Sequence, residues 1–391
     1  MLKRRYLDTL VAADLKEKMV FIGGPRQVGK TTFATDTGRS QYTKCAYLNW
    51  DSREDRQNIL ASRFEASAEL LIFDEIHKYK QWKNYVKGVY DTYKERFDIL
   101  ITGSARLDIY RKGGDSLMGR YHYYRLHPFS LAEALQVDNQ YTMLSDLQFA
   151  AHEGSREVFA QLFKFGGFPE PFLKKDERTL RRWHNQRVDR LVKEDIRDTE
   201  NIRDLSALQV LVELLRERVG SLLSLNSLRE DLNVTHKTVS QWMDVLERFY
   251  YHFRLYPFAS TKIKSLRKEP KLYLWDWSEV SNEAARLENI VASHLLKLCH
   301  FLYDAHGYRI HLYFLRDVEG REVDFLVTID DKPWFAVEVK TSGMAVSKHL
   351  RYFAQRLEIP YCYQVVGEGD VDFVKDGVRV MAVDRFLGAL V

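Results

Sequence analysis

The sequence contains little cysteine. Only Cys45, Cys299 and Cys362 occur in 391 residues, and they are odd in number and far apart. This pattern predicts neither a disulfide framework nor a zinc cluster of Cys-x-x-Cys spacing. We therefore expect a protein of the reducing cytoplasm.

A long hydrophobic run is also missing. Charged side chains interrupt the first 22 residues too often for a secretory signal. The most apolar helical stretch, residues 290–301, carries Lys297 and two histidines, and it is far shorter than the roughly 20 apolar residues that cross a bilayer. The sequence thus predicts no membrane partner.

Neither sign of charge is in large excess. Lys and Arg number 59 and Asp and Glu number 55, which gives a net charge of +4. This mildly basic balance is compatible with nucleic acid but does not require it. Twenty glycines and eight prolines without a repeating period exclude a collagen-like or low-complexity chain. The length and the 45% content of hydrophobic residues instead predict a globular protein of two or three domains.

Three regions differ in their hydrophobic pattern. Residues 1–137 alternate short apolar runs with longer charged segments, which is typical of an α/β domain with a mostly parallel sheet. Residues 138–271 show helical periodicity, and residues 272–391 return to strands mixed with helices. The strands predicted in the first region are Met19–Gly23, Ala46–Trp50, Leu70–Phe73, Asp98–Thr102 and Tyr121–Leu126.

A phosphate-binding motif follows the first predicted strand. Residues 24–31 fit G-x-x-x-x-G-K-[ST] between that strand and a helix. In such a loop the backbone N–H groups wrap a phosphate, the lysine reaches the outer phosphates and the last hydroxyl binds Mg²⁺. The residues predicted to contact ATP here are Gly24, Pro25, Arg26, Gln27, Val28, Gly29, Lys30, Thr31 and Thr32.

Two carboxylates end the apolar strand at residues 70–73. Asp74 is suited to hold Mg²⁺ together with Thr31, and Glu75 is suited to orient the water that attacks the γ-phosphate. Thr102 and Ser104 follow the next strand and are candidate γ-phosphate sensors, although a simple turn is an equally good interpretation of each. Arg120 is a candidate source of positive charge in cis or across a subunit interface, and a solvated surface arginine is the alternative.

These motifs resemble the prokaryotic AAA-type ATPase family whose members carry a C-terminal domain of unassigned function. The resemblance implies a nucleotide-hydrolysing P-loop AAA-like domain, then a helical and winged-helix region, and a nuclease-like α/β end. It covers nearly the whole chain and includes the segments at 24–32, 74–77, 102–104, 119–120, 127–133, 166–170 and 194–196.

The middle region contains a candidate helix-turn-helix. Residues 222–231 and 236–249 are the predicted helices, and Thr235 is the predicted N-cap of the second. Because basic and acidic residues are balanced there, a packing module is the alternative to a DNA contact. The lysines and arginines at 262–271 and at 174–190 are further basic candidates, with solvated charge runs as the default.

The C-terminal region contains a second constellation of charged residues. In a hairpin closed near Asp331, Asp324, Glu338 and Lys340 share one face, which suits Mg²⁺-assisted phosphodiester hydrolysis. This pattern resembles the PD-(D/E)XK restriction-endonuclease-like motif. Glu288 lies on an otherwise apolar helical stripe and is a third candidate metal ligand. An exposed strand face with idle charges is the alternative.

Together these features predict a cytoplasmic ATPase that uses ATP and Mg²⁺ and whose nucleotide state controls a nuclease-like, DNA-interacting end. The predicted domains are 1–137, 138–271 and 272–391. A nucleotide-switched protein-interaction module with a degenerate end, and an inert nucleotide sensor, are the competing hypotheses. The sequence leaves the target and a homo-oligomeric state open.

Overall fold

The computed structural model describes residues 4–103, 117–196, 202, 204–259 and 268–391, with the backbone alone described at 194 and 195. The chain forms two compact units, residues 1–127 and residues 128–391. The predicted three-domain boundaries at 137 and 271 stay predictions.

The first unit is built on five strands. Its strands are β1 (Met19–Gly23), β2 (Cys45–Asn49), β3 (Leu70–Asp74), β4 (Asp98–Thr102) and β5 (Tyr121–Arg125). Its helices are Asp8–Asp14, Lys30–Gln41, Arg53–Leu60 and Trp82–Tyr93, with a 3-10 turn at Ile76–Lys78. Every residue of β1 and β3 is buried, as expected for parallel strands covered on both faces.

The strands of this unit form one parallel sheet in the order β2-β3-β4-β1-β5. The prediction of a parallel α/β fold is therefore confirmed. Strand β4 lies between β1, which precedes the phosphate loop, and β3, and Thr102 is the register partner of Asp74. Because parallel strands end at the same edge, these polar residues are brought to one edge of the sheet.

The second unit begins with helices. These are Leu131–Leu135, Ser155–Phe165, Pro169–Lys174, Glu177–Arg190, Leu205–Glu217, Leu225–Leu232 and His236–Arg248, with a π-helical turn at Leu191–Ile196. Thr235 accepts a hydrogen bond from Thr238 N, so it is the N-cap of the last of these helices as predicted. Strands β6 (His252–Leu255) and β7 (Lys271–Leu274) then pair antiparallel. A 3-10 turn, Trp277–Glu279, follows β7.

A six-stranded mixed sheet completes the second unit. Its strands are β8 (Ile310–Arg316), β9 (Glu322–Ile329), β10 (Lys332–Lys340), β11 (Tyr361–Val366), β12 (Asp372–Lys375) and β13 (Val378–Ala382), in the order β12-β13-β11-β10-β9-β8. The accompanying helices are Glu283–His306, Lys348–Arg356 and Val383–Gly388. The predicted hairpin is confirmed, since Val337 pairs with Phe325 across β9 and β10.

Two predicted features need correction. The sequence pattern predicts a long helix from about residue 282 to 301 and a second helix over residues 344–357. In the structure the first helix continues to His306, and the second begins at Lys348 after the N-cap Ser347. In the described part of the chain, no helix combines the length and the apolar character needed to cross a membrane.

Candidate functional site

The phosphate loop depends on glycine at two positions. Gly24 has a φ of +135°, and a Cβ there would lie 2.4 Å from Leu126 O. Gly29 has a φ of +95° and is the N-cap of helix Lys30–Gln41. Both backbone conformations favour glycine, so the chain can turn sharply and direct its N–H groups toward the space in front of the helix.

The other loop residues divide by exposure. Pro25 and Val28 are buried, whereas Arg26, Gln27 and Thr32 are exposed. The ammonium of Lys30 donates hydrogen bonds to Gly24 O at 3.0 Å and to Pro25 O at 2.6 Å. The lysine therefore lies against its own loop, at the place where the motif requires a cation.

Asp74 accepts hydrogen bonds from three hydroxyl groups on three separate elements. Its Oδ2 accepts from Thr31 Oγ1 at 2.8 Å and from Tyr47 Oη at 2.7 Å, and its Oδ1 accepts from Thr102 Oγ1 at 2.5 Å. Asp74 and Thr102 are almost fully buried. The structure thus brings together the predicted Mg²⁺ residues Thr31 and Asp74 and the predicted sensor Thr102. Ser104, the other sensor candidate, lies outside the described residues.

Glu75 has an unusual backbone and two basic neighbours. Its φ is +57°, a left-handed conformation that is rare for glutamate. Its Oε2 lies 3.3 Å from Lys78 Nζ and 3.6 Å from His77 Nε2. Lys78 also pairs with Asp51 at 2.5 Å. The predicted catalytic carboxylate is therefore held beside a basic turn that the sequence analysis did not assign.

Arg120 lies far from the phosphate loop along the sheet. It immediately precedes β5, and Tyr121 pairs with Met19 at the beginning of β1, whereas the loop follows the end of β1. Its guanidinium forms a bidentate ion pair with Asp91, at 2.8 and 3.2 Å. This position argues against a role at the phosphate site of the same chain. Action across a subunit interface stays a prediction.

The second unit contains a group of four carboxylates, which we call the acidic cluster: Glu288, Glu322, Asp324 and Glu338. Helix Glu283–His306 carries Glu288, β9 carries Glu322 and Asp324, and β10 carries Glu338. Asp324 Oδ2 accepts from Val339 N at 2.8 Å, which fixes it across the hairpin. The predicted residues Glu288, Asp324 and Glu338 are therefore neighbours, and Glu322 was not predicted.

A buried lysine neutralises one side of the acidic cluster. Lys271 is 3% exposed, and its Nζ lies 2.6 Å from Glu322, 3.0 Å from Glu288 and 3.5 Å from Asp324. Tyr273 Oη donates to the same oxygen of Glu288 at 2.6 Å. The sequence pattern predicts Lys271 in a solvated basic run, and this prediction is wrong because β7 directs Lys271 into this group of carboxylates.

Glu338 lies on the other side of the acidic cluster. Its Oε1 accepts from Lys340 Nζ at 2.6 Å and from Ser347 Oγ at 3.3 Å. Its Oε2 is buried and has no hydrogen-bond partner in the part of the chain that the structure describes. An unpaired buried carboxylate oxygen is costly unless a ligand or solvent completes it.

Burial and mutual repulsion change the proton affinity of this cluster. Burial, together with the charge of Asp324, raises the pKa of Glu288 and of Glu338 to about 7. Burial lowers the pKa of Lys271, but its carboxylate neighbours outweigh burial and raise that pKa above the usual value. Lys271 therefore remains a cation under physiological conditions.

A cavity of about 350 Å³ opens beside the acidic cluster. Gly220, Ser221, Glu288, Lys340 and Thr341 are among its lining residues. A Cβ on Gly220 would lie 3.2 Å from Glu288 Oε2, so the glycine keeps this carboxylate accessible from the cavity.

The acidic cluster fits a Mg²⁺ ion only in part. Its donors are hard carboxylate oxygens, and the unpaired Glu338 Oε2 suits a cation. However, Glu288 is already bound by Lys271 and Tyr273. Over the described ranges, no group of three or more His, Cys, Asp or Glu side chains is arranged to hold a metal ion. Asp324 and Glu338 are thus the residues that would hold Mg²⁺, and Glu288 does not fit.

The candidate DNA-binding residues differ in their exposure to solvent. His236 and Lys237 are exposed on the first turn of helix His236–Arg248. In the basic run at 174–190, Arg187 is instead mostly buried and pairs with Glu279 at 2.5 Å. The candidates Lys262, Lys264 and Arg267 lie outside the described residues.

One family model covers most of the first unit. Residues 16–135 match the sequence model of the AAA domain family. Most of the first unit is thus similar to AAA domains. Residues 156–282 and 284–386 match two families described as domains of unknown function, DUF8612 and DUF4143. These two matches assign no activity to the second unit.

The related proteins are similar at low identity. An uncharacterized protein of Haemophilus influenzae is 23% identical over 363 residues, covering 84% of each chain. An uncharacterized protein of Methanocaldococcus jannaschii is 24% identical over 346 residues, covering 81% of this chain and 74% of that protein. Among solved structures, the Thermotoga maritima RuvB Holliday junction branch migration motor is 16% identical, with a TM-score of 0.32, covering 67% of this chain and 93% of that one.

Several residues of these sites, Glu322 among them, were not predicted from the sequence. Tyr47 and Lys78 contact the two carboxylates at the end of β3, and Lys271 contacts the acidic cluster. Tyr47 gave a weak signal, since it lies in the strand that precedes β3 in the chain. Lys271 gave none, because nothing local distinguishes it from its basic neighbours.

Proposed function

We propose that the protein hydrolyses ATP at the phosphate loop of its first unit. The observation that supports this most is the hydrogen bonding of Thr31 and Thr102 to Asp74. A loop hydroxyl and a strand-end carboxylate in contact are what Mg²⁺–ATP binding requires. The glycine conformations of the loop add the backbone geometry for phosphate.

Each residue then has a defined role. Loop N–H groups and Lys30 bind the phosphates, and Lys30 exchanges its loop carbonyl partners for phosphate oxygens. Thr31 and Asp74 hold Mg²⁺, which when bound neutralises charge on the phosphates. Glu75 orients and polarises the attacking water, for which its carboxylate must leave Lys78. Thr102 keeps Asp74 in place beside the γ-phosphate.

The test is phosphate release by the wild type and by Glu75→Gln. We expect the variant to lose about 100-fold or more in turnover, because general-base catalysis contributes at least that much, while it still binds ATP. The exposed Glu17 in the same unit supplies the matched control, and Glu17→Gln should turn over ATP like the wild type.

Two other results would contradict parts of this proposal. Negligible wild-type turnover with retained ATP binding would show a nucleotide sensor rather than an ATPase. Equal turnover in the wild type and Glu75→Gln would remove Glu75 from the mechanism.

The acidic cluster supports a second proposal, that the second unit binds Mg²⁺ and a phosphodiester. The specific observation is the buried, unpaired Glu338 Oε2 opposite Asp324, beside a cavity with Lys340 at its edge. Asp324 and Glu338 hold the ion, and Lys340 positions the water or the phosphate. This arrangement is compatible with cleavage of DNA or RNA.

Nucleic acid would reach this unit through helix His236–Arg248 and the strands that follow it. A helix pair followed by a two-stranded sheet is the order of elements in a winged helix, and His236 and Lys237 are exposed at its first turn. Control of this unit by the nucleotide state stays a prediction.

Binding and turnover measured together test this second proposal. We expect labelled DNA to bind with an affinity that falls steeply as salt increases, because phosphate contacts release counterions. Mg²⁺-dependent cleavage, if present, must be lost in Asp324→Ala. DNA that also stimulates phosphate release from ATP would link nucleic-acid binding to hydrolysis.

Binding that changes little with salt, together with ATP turnover indifferent to every nucleic acid, would favour the alternative, a protein-interaction module with a non-cleaving end.

A further inference from the structure

The chain supplies a cation to its own acidic cluster. Lys271 Nζ lies within 3.5 Å of Glu288, Glu322 and Asp324. These three carboxylates come from a helix and a strand that follow Lys271 in sequence. Lys271 is 3% exposed and can stay charged at this buried position because carboxylates compensate its charge on several sides.

The backbone of Lys271 is fixed on two sides. Lys271 is the register partner of Leu255 in the β6–β7 pair, and it forms an isolated bridge with Leu222. The preceding carbonyl, Pro270 O, accepts from Leu223 N at 2.8 Å. The ammonium can therefore leave the carboxylates through side-chain rotation alone.

The acidic cluster is neutralised unevenly. Glu288, Glu322 and Asp324 contact Lys271, whereas Glu338 contacts Lys340 and Ser347. The side chain of Glu338 is only 6% exposed, and its second oxygen is buried without a hydrogen-bond partner among the described residues. The side of the cluster that Lys271 does not contact is thus the side that lacks a partner for its negative charge.

A divalent cation bound to Asp324 would repel this ammonium. Lys271 Nζ is 3.5 Å from Asp324 Oδ1, and two cations that share a carboxylate in a buried site oppose each other strongly. An ion that used Glu288 as well would have to replace Lys271. The free energy of that replacement limits the affinity of the cluster for metal.

We propose that Lys271 is the resident cation of the acidic cluster and that it excludes a divalent cation from Glu288. The cluster then keeps its fold without metal and takes a divalent ion weakly, at Asp324 and Glu338. This inference rests on the cation site proposed at those two residues. The Lys271 ammonium competes with the metal ion for the carboxylates, and it thereby raises the metal concentration that is needed to occupy the site.

The test is Mn²⁺ binding to the full chain, measured from the electron paramagnetic resonance signal of free Mn²⁺. All proteins carry Asp74→Asn, so that the phosphate-loop carboxylate does not contribute. We expect Lys271→Met, which removes the charge and keeps most of the length, to bind Mn²⁺ about tenfold more tightly or better. Equal affinity in Lys271→Met and its parent would overturn the inference.

Thermal unfolding provides a second readout. We expect Lys271→Met to unfold at a lower temperature than its parent in EDTA and to recover with Mn²⁺, because a ligand of the folded state stabilises it. Lys297 is the matched control, since it is also almost fully buried but pairs with Glu133. Lys297→Met should be destabilised without recovering in Mn²⁺.

The parent protein keeps the inference testable if Lys271→Met does not fold. Because its metal binding is weak, its unfolding temperature should rise by no more than about 1 °C between EDTA and millimolar Mn²⁺, and a rise of several degrees would overturn the inference.

Glu338→Gln separates this inference from the proposed cation site. If Glu338→Gln binds less Mn²⁺ but Lys271→Met matches its parent, the site stands and the role of Lys271 fails. If Glu338→Gln changes Mn²⁺ binding in neither background, the proposed site itself fails and the inference with it.

Discussion

At the residue scale, one carboxylate organises the phosphate site. Asp74 accepts hydrogen bonds from Thr31, Tyr47 and Thr102, which belong to a helix and two different strands. Hydrogen bonds to a charged acceptor are stronger than neutral ones. Because the three donors surround it, Asp74 is held at the edge of the sheet before any nucleotide arrives.

We predict that Thr102→Val lowers ATP turnover about tenfold or more. Valine keeps the shape of threonine but removes the donor to Asp74 Oδ1, and an unsatisfied buried acceptor costs about 1–3 kcal/mol. Phosphate release at saturating ATP, measured across a Mg²⁺ series, checks the change, and the Mg²⁺ requirement should rise.

Thr37 supplies the control for this change. It is buried in helix Lys30–Gln41, and its hydroxyl has no hydrogen-bond partner among the described residues. Thr37→Val should therefore leave turnover unchanged. A loss of turnover as large as that of Thr102→Val would mean that buried threonines matter for packing rather than for Asp74.

At the element scale, a buried asparagine helps to join the long helix Glu283–His306 to β7. Asn289 is fully buried, accepts from Leu274 N at 2.9 Å and donates to Leu274 O at 2.8 Å. Its side-chain amide thus pairs with the strand as another strand would. Because Glu288 immediately precedes Asn289 in the helix, this contact helps to place Glu288 beside Lys271.

We predict that Asn289→Ala lowers the free energy of unfolding of the second unit by about 2–5 kcal/mol. Two buried backbone groups of Leu274 lose their partner, and each costs about 1–3 kcal/mol. Urea unfolding followed by tryptophan fluorescence measures the loss. Asn185→Ala, at an exposed position of helix Glu177–Arg190, is the matched helical control and should change stability little; equal losses would contradict the role of Asn289.

The strands of the first unit were predictable because their signal is local. A buried parallel strand is a continuous apolar run, and all five runs lie within a residue or two of the observed bounds. The helix ends were less predictable. Helix Lys348–Arg356 begins after the Ser347 cap, whereas the apolar pattern alone extended it toward residue 344.

At the scale of the whole molecule, buried histidines make stability depend on pH. Burial lowers the pKa of His294 to about 3 and that of His252 to about 4. His294 is held neutral because its Nδ1 contacts Ile290 O at 2.7 Å and its Nε2 accepts from Leu131 N at 3.0 Å. The unfolded chain takes up a proton near pH 6.5 and the folded chain does not, so this stability is present above pH 6.5 and is lost as pH falls toward the folded pKa.

We predict that the stability difference between the wild type and His294→Gln shrinks by about 2 kcal/mol between pH 7 and pH 5, from the linkage of one histidine with an unfolded pKa near 6.5. Comparing the two proteins cancels the contributions of other titrating groups, including the acidic cluster. Urea unfolding of the second unit at each pH measures it. A difference that stays constant between the two pH values would contradict a buried neutral His294.

The sequence by itself determined the phosphate loop and the strands of the first unit, including the one that ends at Asp74, because each is specified by residues that are close in the chain. It also indicated that Asp324, Glu338 and Lys340 share a hairpin face, since side chains alternate along strands. Only the tertiary structure decided that Lys271 lies among Glu288, Glu322 and Asp324, that Arg187 is buried against Glu279, and that Arg120 is far from the loop. The physical reason is that the compensation of a buried charge depends on elements distant in sequence, and no local pattern records which of them will meet.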